Sequence, residues 1–176
     1  MGNIVGIVNG TKISSMRTGY YAVKAMELTF SREENKIHVF MFGTAPVAKA
    51  IILTLAYAHS DKVEHLAVHS IGESTFTLAS EIRGQVPFKL CPVLPGDSLS
   101  LLKNAHYIIT ATNFSAPLFK KDVIASGIIT LSLEIDNMPG DYINYVLHNK
   151  IVTCDKVETI EHCNAQALPL YFSRIG

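Results

Sequence analysis

The residues best suited to chemistry form a turn of small residues, 43–48, between an apolar run and an apolar helical segment. Residues 37–42 are almost all apolar, as in a strand that is buried on both faces of a sheet. The helix expected from Pro46 onward would direct unpaired backbone N–H groups and the positive end of its dipole towards the turn. The sequence therefore predicts a site for a phosphate or another anion between this strand and this helix.

The turn matches the dinucleotide-binding pattern Gly-x-Gly-x-x-Gly/Ala only in part. Gly43 and Ala48 fit the first and last positions, but Ala45 replaces the second glycine. The methyl group of Ala45 would project towards a pyrophosphate oxygen, and Pro46 restricts Ala45 to extended backbone conformations. A strand-to-helix turn without a ligand is the alternative interpretation.

The second predicted strand, residues 63–69, is not followed by the carboxylate that usually accepts hydrogen bonds from an adenosine ribose. Ser70 stands there instead, and it could accommodate a 2′-phosphate, although no arginine lies beside it in the sequence. NAD and NADP are therefore both open as cofactors.

Arg17 is expected in the first turn of a helix that Ser14 or Ser15 caps and that runs to about Phe30. A cation there faces the positive end of the helix dipole at a cost of about 0.3–1 kcal/mol, which an anionic ligand would remove. The guanidinium can donate two parallel hydrogen bonds to a carboxylate, and the hydroxyl of Thr18 can bind a phosphate. The alternative is an exposed arginine in a frayed helical turn.

These residues require a scaffold, and the rest of the chain alternates apolar strands with helical segments. Single helices between strands imply right-handed crossovers and a parallel sheet. We therefore predict an α/β fold, Rossmann-like and doubly wound, with a mainly parallel sheet and helices on both faces. Strands are predicted at residues 37–42, 63–69, 87–91, 106–112, 128–133 and 151–154, and helices at 74–83, 96–104 and from about 157.

Residues 1–36 are of another kind, with a short strand predicted at 4–8, a turn signal at Asn9-Gly10 and then the helix that carries Arg17. One face of this helix is apolar, so it should pack on another apolar surface. If one domain does not cover that face, a homodimer or a partner subunit is expected. The face consists of Met16, Tyr20, Val23 and Phe30.

Composition excludes several classes of protein. The 176 residues carry 15 basic and 15 acidic side chains, so bulk charge favours neither nucleic acid nor an anionic membrane. No apolar run reaches the roughly 18–20 residues that span a bilayer, and no secretory signal opens the chain, so a cytoplasmic protein is expected. Cys91, Cys154 and Cys163 are widely spaced and the seven histidines are scattered, which argues against a disulfide framework and a metal site.

Four segments, in this order, resemble the ornithine cyclodeaminase/μ-crystallin family. Its members include ornithine cyclodeaminase, certain alanine dehydrogenases, ketimine reductase and amino-acid-condensing dehydrogenases. The segments are Met16-Arg17-Thr18-Gly19, the strand–turn–helix unit that ends in Ala48, residues 108–112, and Asp136 followed by Pro139-Gly140.

The resemblance implies roles for individual residues and a division of the chain. Residues 1–36 would be the remnant of a substrate domain, and residues 37–176 a Rossmann-like domain that binds NAD or NADP. Arg17 would bind the α-carboxylate of a small amino or imino acid, and Asp136 would be the acid–base group. Cofactor contacts would come from Thr18, from Gly43, Thr44, Ala45 and Val47 at the pyrophosphate, and from Thr110, Ala111 and Thr112 beside the nicotinamide, with Ser70 near the ribose.

The chain also departs from the family. Family members are about twice as long, so most of the substrate-binding half is expected to be missing. Leu133 lies in a stretch that usually contains glycine, and Asp136 is one residue further from Pro139 than usual. Two hypotheses follow: an NAD(P)-dependent oxidoreductase or cyclodeaminase-like protein, or a non-catalytic module that binds a dinucleotide or another protein.

Overall fold

The computed structural model describes residues 6, 8–30, 36–94, 96–133, 137–149 and 152–153. Within them, helices and strands alternate after an N-terminal helix. In chain order the elements are α1 (Gly10–Glu27), β1 (Ile37–Phe42), α2 (Pro46–Ala58), β2 (Val63–His69), α3 (Ser74–Ile82), β3 (Lys89–Val93), α4 (Ser98–Lys103), β4 (Tyr107–Thr110), a 3-10 turn (Lys121–Val123), β5 (Ile129–Ser132) and α5 (Gly140–Asn149).

The five strands form one parallel sheet in the order β3-β2-β1-β4-β5, which confirms the predicted fold class. Phe42 at the end of β1 lies opposite His69 of β2 and Thr110 of β4, and Thr110 in turn lies opposite Ser132 of β5. The carboxyl ends of four strands therefore meet at one edge of the sheet, which we call the carboxyl edge.

The central strands are buried on both faces, which explains their continuous apolar sequences. Alternate side chains of each strand point to opposite faces, so the sheet separates two apolar cores. One core lies under α1, α2 and α3 and includes Val39, Met41, Ile51, Ile52, Leu55 and Ile109. The other lies on the α4 and α5 side and includes Phe40, Phe42, Leu102, Ile108, Phe119 and Tyr142.

The N-cap of helix α1 is Asn9, five residues before Ser14 and six before Ser15, the two caps that the sequence predicted. The Asn9 Oδ1 atom accepts a hydrogen bond from the backbone N–H of Lys12 at 3.1 Å. The sequence prediction interpreted Asn9-Gly10 as a turn, and this was wrong. Arg17 consequently lies in the second turn of the helix rather than the first, so the predicted cost against the helix dipole does not apply to it.

The buried face of α1 also differs from the prediction. Met16 and Tyr20 are 59% and 51% exposed, whereas Ser15, Gly19, Ala22, Val23 and Met26 are buried. The cause is a close crossing with α2: a Cβ atom on Gly19 would lie 2.8 Å from the Ala50 Cβ atom. The small side of α1 therefore packs on α2, and its larger side chains remain outside.

Two contacts fix the direction of α1. Gly19 packs on Ala50 in the middle of α2, and Glu27 Oε1 lies 2.6 Å from Nε2 of His59, which follows α2. The two helices thus run side by side in the same direction. Both begin near the carboxyl edge of the sheet.

Several predicted boundaries shift by a few residues. The strand predicted at 87–91 is observed as Lys89–Val93, and Ala111 and Thr112 follow β4 instead of belonging to it. Of the sixth strand predicted at 151–154, the structure describes only Val152 and Thr153, which lie in no strand. The short strand at 4–8 and the helix from about 157 fall mainly or wholly outside the described residues. None of the described helices is long and apolar enough to cross a membrane.

Candidate functional site

Strands β1 and β4 are neighbours, and the chain leaves them in opposite directions across the sheet. From β1 it continues to β2 and β3, then returns to β4 on the other side of β1 and continues to β5. Ligands of open parallel sheets bind outside the carboxyl ends of the strands at such a reversal of strand order. The candidate site therefore lies where the turn after β1 meets the segment after β4.

Gly43 is the first residue after β1, and its conformation is available mainly to glycine. Its φ is +115°, and a Cβ atom there would lie 2.0 Å from the backbone oxygen of Ala111. Its N–H donates to the carbonyl of His69 at 2.8 Å, and the Ala111 N–H donates to the carbonyl of Phe42 at 2.8 Å. Glycine is thus required at position 43 because the chains after β1 and β4 are in contact.

Helix α2 starts beside Gly43 without a side-chain cap. Ala45 is its N-cap, with φ −66° and ψ 170°, and forms no side-chain hydrogen bond to the helix. Pro46 follows as the first helical residue and has no N–H. Ala45 is exposed, so its methyl group fills no space within the protein. The N–H groups of Val47 and Ala48 and the helix dipole therefore face an open position that suits an anion.

Of the three residues predicted to lie beside a nicotinamide, two are buried. Thr110 is 0% and Ala111 1% exposed, and Thr110 Oγ1 lies 3.5 Å from Ser132 Oγ. Thr112 is partly exposed, and its Oγ1 accepts a hydrogen bond from the Phe114 N–H at 3.4 Å. Of this group, only the Thr112 side chain reaches the surface of the carboxyl edge.

The segment after β2 places Ser70 at the same edge, half-buried. The ring of His69 packs against Phe42 with ring centroids 5.4 Å apart. Burial lowers the pKa of His69, which favours its neutral form. The end of β2 and Ser70 directly after it therefore offer a neutral imidazole and a hydroxyl.

Arg17 and Thr18 lie in α1, where Arg17 is exposed and Thr18 is half-buried. Successive helical residues are about 100° apart, which puts Arg17 on the side of α1 opposite the Gly19 contact with α2. Asp136, the predicted acid–base group, falls outside the described residues. Leu133 is half-buried and packs against the core under α2.

The sequence analysis did not identify Asn137, the buried polar residue next to Asp136. Asn137 is 0% exposed, and neither its Oδ1 nor its Nδ2 atom has a hydrogen-bond partner among the residues that the structure describes. Its carbonyl accepts from the N–H of Leu118, and the adjacent Phe119 stacks 6.1 Å from Phe42 at the end of β1. In the resembled family the acid–base residue is one residue closer to Pro139 than Asp136 is, so Asn137 stands at the usual position. That spacing is the sequence signal that could have identified Asn137.

No protein-family model matches the sequence, and no curated protein matches it. Solved structures do share the fold. A Δ1-pyrroline-2-carboxylate reductase of Thermococcus litoralis, in complex with NADH and L-proline, has a TM-score of 0.64 and 20% identity over 76% of this chain and 42% of that one. CmnK has a TM-score of 0.71 and 14% identity over 93% of this chain and 46% of that one.

A lysine cyclodeaminase, solved to explain recognition of L-lysine, L-ornithine and L-2,4-diaminobutyric acid, has a TM-score of 0.56 and 14% identity. That match covers 77% of this chain and 40% of the cyclodeaminase, so the chain spans less than half the length of each of these three proteins. The pyrroline reductase and the cyclodeaminase are members of the ornithine cyclodeaminase/μ-crystallin family. The chain therefore has a Rossmann-like fold that it shares with members of this family.

Proposed function

We propose that this protein binds NAD or NADP at the carboxyl edge and acts with it, as an oxidoreductase or cyclodeaminase-like protein, on a small amino or imino acid. The observation that carries the proposal is the uncapped start of α2 beside Gly43, at the reversal of strand order. The similar fold of the reductase solved with NADH and L-proline supports it.

The residues at this edge fit a dinucleotide. The N–H groups of Val47 and Ala48 would bind the pyrophosphate, with Gly43, Thr44 and Ala45 forming the turn around it. Ser70 would lie near the ribose, Thr18 would contact a phosphate, and the segment 110–112 would border the nicotinamide. The cofactor supplies or accepts a hydride when bound.

The other roles belong to side chains of this chain. Arg17 would hold the substrate carboxylate through paired N–H donors, which orients the reacting carbon. Asp136 would move a proton to or from the nitrogen or an attacking water. Residues 1–36 would be the remnant of a substrate domain, and another subunit, a second copy of this chain or a different one, would complete the pocket.

The second candidate is a non-catalytic member of the same family that binds a dinucleotide or a protein. Asn137 favours it, because a carboxamide at the usual spacing cannot exchange a proton as a carboxylate does. The burial of Thr110 and Ala111 also favours it, since it leaves few side chains for a nicotinamide.

The deciding experiment is a calorimetric titration with NADH and NADPH, followed by assays of NAD(P)H oxidation with a panel of cyclic imino acids and of ammonia release from diamino acids in the presence of NAD or NADP. Saturable binding of one cofactor with turnover supports the enzyme. Binding without turnover supports the second candidate. No binding of either cofactor refutes both cofactor-dependent proposals.

A further inference from the structure

The loop between β2 and α3, residues 70–73, lies beside the turn that is proposed to hold a pyrophosphate. The carbonyl of His69, the last residue of β2, accepts the Gly43 N–H at 2.8 Å. At the other end of the loop, Ser74 is the first residue of α3 and lines the same groove as Thr44. A cofactor bound at this turn would therefore have its adenosine ribose near the loop.

Glu73 is the only charged residue of this loop and directly precedes α3. It is exposed, and its side chain forms no helix cap and, within the described part of the chain, no ion pair. Gly72, with a φ of +77°, lies in the turn before it, and only four residues separate β2 from α3. The short loop therefore holds a carboxylate at the carboxyl edge that no described residue pairs.

The loop and α3 supply no cation to offset this carboxylate. Residues 70–82 contain neither lysine nor arginine. Ile71, in the loop, is 72% exposed and offers only apolar surface. Lys49 of α2 reaches towards α3, but its Nζ atom lies 2.7 Å from Oε2 of Glu81. A phosphate near the loop would therefore meet a negative charge and no cation of the same segment.

The dipole of α3 does not outweigh the charge of Glu73. A helix N-terminus corresponds to about half a positive charge, whereas an ionised carboxylate carries a full negative charge. A phosphate monoester such as the 2′-phosphate of NADP carries about 1.5–2 negative charges at neutral pH, so the carboxylate would repel it. An unmodified ribose instead offers hydroxyl groups, which can donate hydrogen bonds to a carboxylate.

We propose that the cofactor site selects NAD over NADP and that Glu73 discriminates between them. Its carboxylate would accept hydrogen bonds from the ribose hydroxyl groups of NAD and would repel the 2′-phosphate of NADP. Glu73 thus replaces the carboxylate that usually stands at the end of β2, four residues further along the chain. The inference rests on the proposed function, since it requires a dinucleotide at the carboxyl edge.

The test is a calorimetric titration of NADH and NADPH into the full-length wild type and two variants. We expect the wild type to bind NADH about tenfold or more tightly than NADPH. Glu73→Gln keeps the size of the side chain but removes its charge, so it should bind NADPH more tightly than the wild type and reduce the preference for NADH about threefold or more. Asp122→Asn makes the same change in net charge in the exposed 3-10 turn and should keep the wild-type preference.

The outcomes separate this inference from the proposed function. Binding of neither cofactor would refute both. NADPH binding to the wild type as tightly as NADH would overturn the inference alone, because a lysine that lines the groove, Lys12 or Lys49, would then neutralise the 2′-phosphate. An unchanged preference in Glu73→Gln, or an equal loss of preference in Asp122→Asn, would also overturn it, because the charge of Glu73 would then not set the preference.

Discussion

Replacement of Gly43 by alanine should destabilise the fold more than the same replacement of a glycine that has a positive φ but open space at its Cβ position. The added Cβ atom would lie 2.0 Å from the Ala111 oxygen, which is backbone and cannot rotate away. The strained φ of +115° costs about 1–2 kcal/mol, and displacement of the packed chain adds about 1–3 kcal/mol. We therefore expect Gly43→Ala to lower the free energy of unfolding by about 2–5 kcal/mol.

Gly72→Ala is the matched control, because Gly72 also has a positive φ, +77°, but has no atom within 4 Å of its Cβ position. It should lose only the backbone cost, about 1–2 kcal/mol. Urea unfolding followed by circular dichroism measures the free energy of unfolding of both variants. In thermal unfolding, a loss of about 1 kcal/mol should lower the Tm by roughly 2–4 °C for a chain of this size. If the two variants lose the same stability within about 0.5 kcal/mol, the contact between the two segments does not hold the edge together.

The other predictions concern pH and catalysis. Burial and the neighbouring His38 lower the pKa of His65, so the unfolded chain takes up a proton that the folded chain resists, and stability should fall as the pH drops below about 6.5. Urea unfolding at several pH values measures how steeply stability changes with pH. His65→Gln should reduce this pH dependence, whereas His148→Gln, which changes an exposed residue of α5, should not. An equal pH dependence of the two variants would be contrary evidence. If the protein is an enzyme, Arg17→Lys should mainly raise KM, and Asp136→Asn should lower kcat by about 10²–10⁴-fold with cofactor affinity unchanged. Steady-state kinetics check this, and full activity of Asp136→Asn would favour the non-catalytic candidate.

The central strands could be predicted because each is a continuous run of apolar residues, which turns and exposed helices do not contain. Residues 37–42 and 63–69 are strands with the predicted bounds. Helix α5 was missed because the Asp-Asn-Met-Pro-Gly turn before it obscured a helical pattern, in which Tyr142, Ile143 and Val146 lie on one side.

The site was harder to predict than the sheet, because contacts between distant segments decide it. The sequence pointed to Gly43 through its local motif, but the contact with Ala111 joins residues that no local pattern connects. Likewise, the exposure of Met16 follows from the close packing of Gly19 on Ala50, which the spacing of large apolar residues does not reveal. The burial of the Asn137 amide, which has no hydrogen-bond partner within the described part of the chain, depends on the same long-range packing.

Calorimetric titration of NADH and NADPH into the wild type and two variants of Ala45 shows directly whether the cofactor binds at the start of α2. Ala45→Asp places a favoured N-cap at the start of α2 and should stabilise the fold by about 0.5–2 kcal/mol, while its carboxylate repels the pyrophosphate. Ala45→Gly should tighten binding, because it removes the methyl group from the approach to the turn. We expect saturable binding to the wild type, stronger binding to Ala45→Gly, and little or no binding to the more stable Ala45→Asp. Ala125→Asp, in an exposed loop, should bind like the wild type. Absence of binding to the wild type and to Ala45→Gly, or equal binding to all four proteins, would contradict a cofactor site at the start of α2.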